Sequence, residues 1–204
     1  MKALIINGSP HKAGTTKRAL EEIKKVLTEE GFECVMYDIE TEVRGCMACG
    51  YCKRNSKCVI DDGVNSLAKL FEDADALVVG SPVYYASPNG SLISLLDRLF
   101  HSTSFDKRMK VGAAIVAARR GGLTASFDVL NKYFSISGIP IATSRYWNQI
   151  HGNNATEAEE DLEGLATMRE LGRNIAFLTK SISLGKENFG LPKREEKIAT
   201  NFIR

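Results

Sequence analysis

The chain alternates between short apolar runs and longer segments in which apolar residues recur at helical spacing. The apolar runs predict buried strands at 2–8, 32–39, 76–85, 110–118 and 139–147, the third breaking at its Gly-Ser-Pro step, 80–82. The amphipathic segments predict helices at 15–31, 61–75, 89–101, 123–138 and 155–182. Near-continuous apolar strands separated by helices are typical of a parallel sheet that is covered on both faces.

These elements predict an α/β fold, a doubly wound parallel sheet of five strands with helices on both faces. The 204 residues are enough for one such domain with its own core. We place this domain at 1–182, with an irregular cysteine-rich loop at 45–60 after the second strand. The remaining residues, 183–204, form a charged tail whose few apolar side chains make it a candidate oligomer arm.

Composition and charge limit the function classes without naming one. The net charge of +2 is too small to predict nucleic-acid binding. The longest apolar stretches are too short for a membrane span, and the apolar run at the N-terminus is too short for a signal peptide. We therefore expect a cytoplasmic protein with no membrane or nucleic-acid partner. A reducing compartment disfavours structural disulfides.

A loop with the sequence NGSPHKAGTT, residues 7–16, joins the first strand to the first helix. In a parallel sheet this position faces the carboxyl ends of the strands, where ligands bind. Glycine and small hydroxyl residues let the backbone close around an anion at the start of the helix. The loop is neither a GxGxxG fingerprint nor a Walker A loop, so it favours a monophosphate over a dinucleotide. A plain strand–helix turn is the open alternative.

Two further loops follow the third and fourth strands, at 80–91 and 117–126. Tyr84 and Tyr85 in the first of them suit a flat aromatic ligand, although they could equally cover the edge of the sheet. The two glycines of the second permit close approach of the backbone. Because all three loops meet at one edge of the sheet, together they predict a ligand crevice.

The motifs GSPHKAGTT, SPVYYASPNGSLISLLDR and ARRGG, in this order and spacing, resemble the NADPH-dependent FMN reductase family of flavodoxin-like proteins. The resemblance covers 1–145 and implies a five-stranded sheet in the flavodoxin order, non-covalent FMN, NAD(P)H as a transient donor, and homodimers or homotetramers. It places the FMN phosphate at the first loop, and the isoalloxazine ring between the second loop and 118–122. The cofactor-binding residues that it implies are Ser9, His11, Thr15, Thr16, Pro82, Val83, Tyr84, Tyr85, Asn89, Ala118, Arg119, Gly121 and Gly122.

The phosphate loop departs from the pattern of this family at two positions. Members usually carry arginine where this chain has His11, and asparagine where it has Thr15. A phosphate needs a nearby cation more than it needs one particular residue, so Lys12 or Lys17 is expected to take that role.

Four of the five cysteines lie in GCMACGYCKRNSKC, residues 45–58. Cys46, Cys49, Cys52 and Cys58 form the pattern C-x2-C-x2-C-x5-C, and four closely spaced thiolates can hold a cubane cluster. The spacing leaves tetrahedral zinc, a redox disulfide and metal-free thiols open. The insertion also resembles that of the iron–sulfur flavoproteins. This resemblance implies a [4Fe-4S] cluster on these four residues, with the FMN of one subunit near the cluster of another.

The combined prediction is an FMN-dependent oxidoreductase, either an NAD(P)H:flavin or quinone-type reductase or an iron–sulfur flavoprotein, that passes electrons through FMN. A catalytic side chain is not expected, because FMN carries the chemistry. The partners are expected to be a small-molecule donor and acceptor, with a ferredoxin as a candidate carrier. Three alternatives stay open: a simple FMN reductase without a cluster, a flavodoxin-like electron carrier, and a regulatory module with a zinc knuckle at 45–58.

Overall fold

A computed structural model describes residues 1–39, 42–196, 198–200 and 202–203, so parts of the predicted tail lie outside it. The strands are β1 (Lys2–Asn7), β2 (Glu33–Asp38), β3 (Ala76–Tyr84), β4 (Ser87–Pro88), β5 (Val111–Ala118) and β6 (Gln149–His151). The helices are α1 (Thr15–Glu29), α2 (Cys52–Asn55), α3 (Val64–Asp73), α4 (Gly90–Ser102), α5 (Leu123–Ile136), α6 (Ala155–Glu160) and α7 (Leu162–Phe189).

The sheet has the predicted parallel arrangement. Five strands pair in parallel in the order β2-β1-β3-β5-β6, which confirms the doubly wound fold and the strand order. A sixth strand, β4, pairs antiparallel with the end of β3. The predicted break at 80–82 is wrong, because these residues pair in register with Ile115–Ala117 of β5 and keep β3 extended to Tyr84.

The helices cover both faces of the sheet, as a doubly wound fold requires. Side chains of β1 alternate between two separate cores, Ala3 and Ile5 on one face and Leu4 and Ile6 on the other. Helices α1, α6 and α7 close the first core, and α3, α4 and α5 close the second. Within the described residues, none of these helices is both long and apolar enough to cross a membrane.

The fifth predicted strand, 139–147, is wrong in its position. The chain touches β5 at Pro140 and Ala142, through backbone hydrogen bonds of 2.8 Å to Gly112, and then bulges away from the sheet. It returns at Asn148, whose buried side chain donates to Ala114 O at 3.0 Å and takes the place of a strand hydrogen bond. The regular part of this edge strand is therefore β6, and Trp147 stays exposed on the bulge.

The single closing helix predicted at 155–182 is two helices. Asp161 separates α6 from α7, because its carboxylate accepts hydrogen bonds of 2.8 Å from the N–H groups of His151 and Gly164. Helix α7 then continues to Phe189, seven residues beyond its predicted end. Its close contact with α1 depends on Gly172, where a Cβ atom would lie 2.9 Å from Val26 Cβ.

Candidate functional site

Loops at the carboxyl ends of the strands are joined to one another by direct contacts. The loop after β1 is joined to the end of β3, because Gly8 N donates to Gly80 O at 2.8 Å. The same loop is joined to the start of α4, because Asn89 Nδ2 donates to Gly8 O at 2.7 Å. A Cβ atom at Gly8 would lie 2.7 Å from Gly80 O and would also collide with Leu92. These contacts fix the loop after β1 against β3 and α4.

The hairpin between β3 and β4 packs against the loop after β5. Its two-residue turn is Tyr85-Ala86, and both residues have positive φ, 51° and 56°, which is costly for residues other than glycine. Gly122 faces this turn with a φ of 89°, and a Cβ atom there would lie 2.9 Å from Ala86 Cα. Strained backbone of this kind clusters at ligand sites. The side chain of Tyr85 is fully exposed.

A fourth loop, residues 151–154, contacts both the end of β5 and the start of α1. Gly152 N donates to Ala118 O at 3.3 Å, at the end of β5. The Thr15 hydroxyl, at the start of α1, donates to Gly152 O and Asn154 O at 3.0 and 3.1 Å. We call the site between these loops, 8–16, 80–91, 118–122 and 151–154, the crevice. The sequence analysis missed the fourth loop because it placed the last strand ten residues too early.

The start of α1 can bind an anion with its backbone. The buried Ser9 shapes the loop: its N–H donates to Asn7 Oδ1 at 3.2 Å and its hydroxyl accepts from His11 N at 3.1 Å. Gly14 is the N-cap of α1 and has no side chain that could accept hydrogen bonds from the N–H groups of the first turn. Those N–H groups are therefore available to a ligand. This arrangement fits a phosphate group.

One of the two lysines predicted to assist a phosphate is already paired. Lys17 Nζ lies 2.7 Å from Asp38 Oδ1, which also accepts from Asn7 Nδ2 at 2.9 Å. Burial raises the pKa of Asp38, but the hydrogen bonds from Lys17 and Asn7 outweigh it and hold the pKa below its ordinary value. Lys12 is exposed, which leaves it as the candidate cation of the loop.

The four clustered cysteines line a single cavity of about 190 Å³ near the C-terminal end of α4. Arg98, His101 and Ser102 of α4 form another part of its wall. Cys52 begins the short helix α2, which the sequence analysis treated as irregular loop. Within the described residues, no three His, Cys, Asp or Glu side chains converge closely enough to hold a metal ion. The four cysteines therefore line this cavity, which we call the cysteine cavity, without such a convergence.

One of the four cysteines, Cys58, is held by residues of two helices, α3 and α4. Arg98 Nη1 lies 3.6 Å from Cys58 Sγ, and Asn65 of α3 binds both the N–H and the C=O of Cys58, at 2.9 and 3.1 Å. The hydrogen bonds around Cys52 are local, such as Ser56 N to Cys52 O at 2.9 Å. Cys58 is thus fixed by the fold, whereas Cys52 is fixed by its own loop.

Sequence comparison assigns the chain to a known family. A sequence profile of NADPH-dependent FMN reductases matches residues 1–152. The chain belongs to this family. It is 31% identical over 191 residues to an iron-sulfur flavoprotein of Methanocaldococcus jannaschii, covering 89% of this chain and 99% of that protein. It is 30% identical over 193 residues to an iron-sulfur flavoprotein of Methanosarcina thermophila, covering 92% and 100%.

Solved structures agree with the fold. A flavodoxin from the domain Archaea superposes with a TM-score of 0.61 at 16% sequence identity, over 88% of this chain and 99% of that one. The fold is therefore flavodoxin-like, as the resemblance of the motifs implied. Fold and family together make this FMN reductase family member an FMN-binding oxidoreductase.

The predicted FMN-contacting residues of this family member line the crevice in different ways. Val83 and Gly122 lie side by side, because a Cβ atom at Gly122 would be 3.0 Å from Val83 Cγ1. Arg119 and Gly121 are exposed, whereas Thr16 is buried in the first turn of α1. The side chains of Thr15 and Asn89 join loops. The backbone of Asn89 is also engaged, because its N–H donates to Ser81 Oγ at 2.9 Å and its C=O accepts from Ile93 N at 3.1 Å. Contact with FMN stays a prediction for the whole set.

The sequence analysis missed Arg98 and Asn65, the two residues that hold Cys58. Arg98 carries a detectable signal, since it is a cation among Leu95, Leu96 and Leu99 on the buried side of α4. A charge in such a position needs a partner within the fold. Its partner is Asp62, at 2.6 Å. Asn65 carries a weaker signal, because asparagine early in a helix is common.

Proposed function

We propose that this protein is an FMN-dependent oxidoreductase that carries a [4Fe-4S] cluster on Cys46, Cys49, Cys52 and Cys58. The observation that carries the proposal is that all four thiols line one cavity. The names of the relatives at 30–31% identity, iron-sulfur flavoproteins, support it.

The shape and charge of the cysteine cavity favour a cluster over a single zinc ion. Zinc draws four sulfurs to about 2.3 Å from one point, whereas the thiolates of a cubane each bind a different iron and stand further apart. Four cysteines that line one cavity of about 190 Å³ suit the second arrangement. The buried guanidinium of Arg98 faces Cys58 Sγ at 3.6 Å and suits an anionic group there.

The crevice supplies the features that FMN needs. When bound, FMN exchanges two electrons with a donor and passes them on singly. The N-terminus of α1 would hold the FMN phosphate, with Lys12 as the nearby cation and His11 as a further contact. The hairpin at Tyr85 and the loop at Gly122, which pack against each other, would contact two edges of the isoalloxazine ring. The other proposed contacts are Ser9, Thr15, Thr16, Pro82, Val83, Tyr84, Asn89, Ala118, Arg119 and Gly121.

The proposed donor is NAD(P)H, which stacks transiently on FMN, and a reduced ferredoxin is the proposed alternative donor or acceptor. A transient partner is consistent with a sequence that has no dinucleotide fingerprint. We place these reactions in the cytoplasm, where free thiols persist.

The two sites lie at different levels of α4. Asn89 borders the crevice and Arg98 borders the cysteine cavity, and the helix rises roughly 13 Å between them. We propose a homodimer or homotetramer that brings the FMN of one subunit to the cluster of another. The exposed apolar side chains of α7, with Phe177 at 70% and Phe189 at 89% exposure, support an interface between subunits.

An anaerobic purification tests the proposal directly. Flavin, iron, sulfide and zinc are counted per chain, and light scattering gives the oligomer. We expect FMN with about four irons and matching sulfide per chain. The oxidation of NADH and NADPH, and of a reduced ferredoxin, is then followed with a quinone as acceptor. Zinc in place of iron contradicts the cluster, and the absence of flavin contradicts the whole proposal.

A simple FMN reductase with a metal-free loop is the second candidate. It is favoured by the finding that, in the described part of the chain, the thiols do not converge on a metal-binding point. Flavin without iron after anaerobic reconstitution with ferrous iron and sulfide supports this candidate.

A further inference from the structure

We propose that Arg98 is a positioning residue that raises the reduction potential of the group bound at Cys58. This inference rests on the proposed cluster and goes beyond its ligand set. Reduction adds a negative charge to a thiolate-bound cluster, and hydrogen bonds to its sulfurs are among the main determinants of its potential.

Arg98 is placed to donate to one sulfur. Its side chain is 1% exposed, and its Nη1 points to Cys58 Sγ at 3.6 Å and to Ile60 O at 3.4 Å. Its Nη2 binds Asp62 Oδ2 at 2.6 Å. Asp62 therefore holds the guanidinium from one side, and the positive end of the ion pair is presented to the sulfur.

The hydrogen bonding of this ion pair is incomplete. Among the described residues, Arg98 Nε and Asp62 Oδ1 are buried polar atoms that lack a partner. A buried polar atom without a partner costs free energy, and a pair of this kind is often no more stable than apolar side chains of the same size. Packing alone is a weak reason for an arginine at this position. Interaction with an anionic group at Cys58 gives the arginine a role there.

The position of Cys58 is fixed independently of Arg98. Asn65 holds both backbone groups of Cys58, so the sulfur stays close to the guanidinium. A guanidinium remains charged at every working pH, and its effect on a sulfur at 3.6 Å is weakly screened because Arg98 is buried. Cys58 is therefore the ligand through which this chain sets the potential.

The test compares two arginine substitutions, Arg98→Met and Arg54→Met. Arg54 lies on α2, two residues after Cys52, and is exposed, so its removal deletes the same charge where water screens it. The midpoint potential is measured by titration followed by electron paramagnetic resonance. For Arg98→Met we expect reduction to become about tenfold less favourable, which is a shift of about 59 mV to more negative potential. We expect a much smaller shift for Arg54→Met, and equal potentials in the two variants overturn the inference.

Two further variants keep the inference testable if Arg98→Met does not fold or does not retain iron. Arg98→Met combined with Asp62→Leu removes the pair together, which avoids leaving a lone buried carboxylate. Arg98→Lys keeps the charge and is expected to restore part of the potential. If both variants that lack the arginine lose their iron, a potential below wild type in Arg98→Lys supports the inference, and an unchanged potential overturns it.

The failures of the two proposals are distinguishable. Wild-type protein without iron overturns the cluster and this inference together. Wild-type protein with four irons and an Arg98→Met variant of unchanged potential overturns the role of Arg98 alone.

Discussion

The crevice and the cysteine cavity lie near opposite ends of α4. The first is formed mainly by backbone groups and the second mainly by side chains. The crevice is built largely from backbone: glycines, left-handed turn residues and the N-terminus of α1. The cysteine cavity is built from side chains on an inserted loop, with Arg98 and Asn65 as its attachment to the fold. A parallel sheet creates the first kind of site by its topology. The second kind depends on the individual residues that line it.

This difference predicts how each site responds to substitution. The crevice is expected to be sensitive to atoms that are added, because its loops are in close contact. The cysteine cavity is expected to be sensitive to atoms that are removed, because each proposed ligand and each residue that holds Cys58 acts through its own side chain. The four predictions that follow test this contrast, from the largest expected effect to the smallest.

The largest effect is expected from Cys49→Ser. If the proposed [4Fe-4S] cluster is bound by the four cysteines, losing one of them is expected to abolish its signal, while the FMN content per chain stays at the wild-type level. Visible spectra and iron counts after anaerobic purification measure both. The control is Cys34→Ser, because Cys34 lies on β2 outside the cavity. Loss of FMN in Cys49→Ser would show that the two sites are not independent.

The converse separation is expected from Gly8→Ala. Its new Cβ atom would lie 2.7 Å from Gly80 O, so the loop after β1 must shift. Overpacking of this kind costs about 1–3 kcal/mol, and we expect FMN affinity to fall about tenfold with iron content unchanged. Fluorescence titration with FMN measures the affinity. Gly185→Ala is the control, because a Cβ atom there meets nothing within 4 Å, and it should bind FMN normally.

A smaller effect is expected from Gly122→Ala, with Gly121→Ala as the matched neighbour. Gly122 has a φ of 89° and no room beside Ala86, whereas a Cβ atom at Gly121 meets nothing within 4 Å. A left-handed alanine costs at least about 1 kcal/mol, so FMN affinity should fall about fivefold in Gly122→Ala. It should stay unchanged in Gly121→Ala. Equal affinities in the two variants would mean that the contact between hairpin and loop does not shape the FMN site.

The contrast also explains what the sequence could predict. The parallel sheet and the three loops at 7–16, 80–91 and 117–126 follow from local patterns, because alternating strands and helices fix where the strand ends meet. The strand order followed from the resemblance to the FMN reductase family. The spacing of the four cysteines is local as well, and they do line one cavity. Whether that cavity holds iron is a question of chemistry that the spacing leaves open.

Long-range contacts account for the errors. The last strand lies at Gln149–His151 and not at the predicted 139–147. The buried Asn148 side chain binds Ala114 O of β5, a contact across 34 residues that local sequence does not reveal. Arg98 reaches Cys58 across 40 residues, so neither local sequence reveals the other. The hairpin at Tyr85-Ala86 was missed for a different reason: its turn normally selects glycine or asparagine, and this chain uses tyrosine and alanine.

The smallest effect is expected from Asp38→Asn, at a charged contact that supports the loop after β1. Asp38 binds Lys17 and holds Asn7, whose side chain accepts from Ser9 N. Because its folded pKa lies below the ordinary value of 3.8, the pair stabilises the fold above that pH and loses its contribution as pH falls through the folded pKa. The partly exposed pair should contribute about 0.5–1 kcal/mol at pH 7.

Urea unfolding at pH 7 and pH 3 measures the free-energy difference between the protein with its native Asp38 and the Asp38→Asn variant. Both proteins carry Cys49→Ser, so that loss of a cluster in acid does not interfere. The free-energy difference should shrink from pH 7 to pH 3. Glu30→Gln, which breaks the exposed pair of Glu30 with Lys180, is expected to change the free energy of unfolding by less than about 0.5 kcal/mol at pH 7. A difference for Asp38→Asn that is the same at both pH values would show that the charge of the carboxylate does not support the loop. The crevice would then depend on backbone alone.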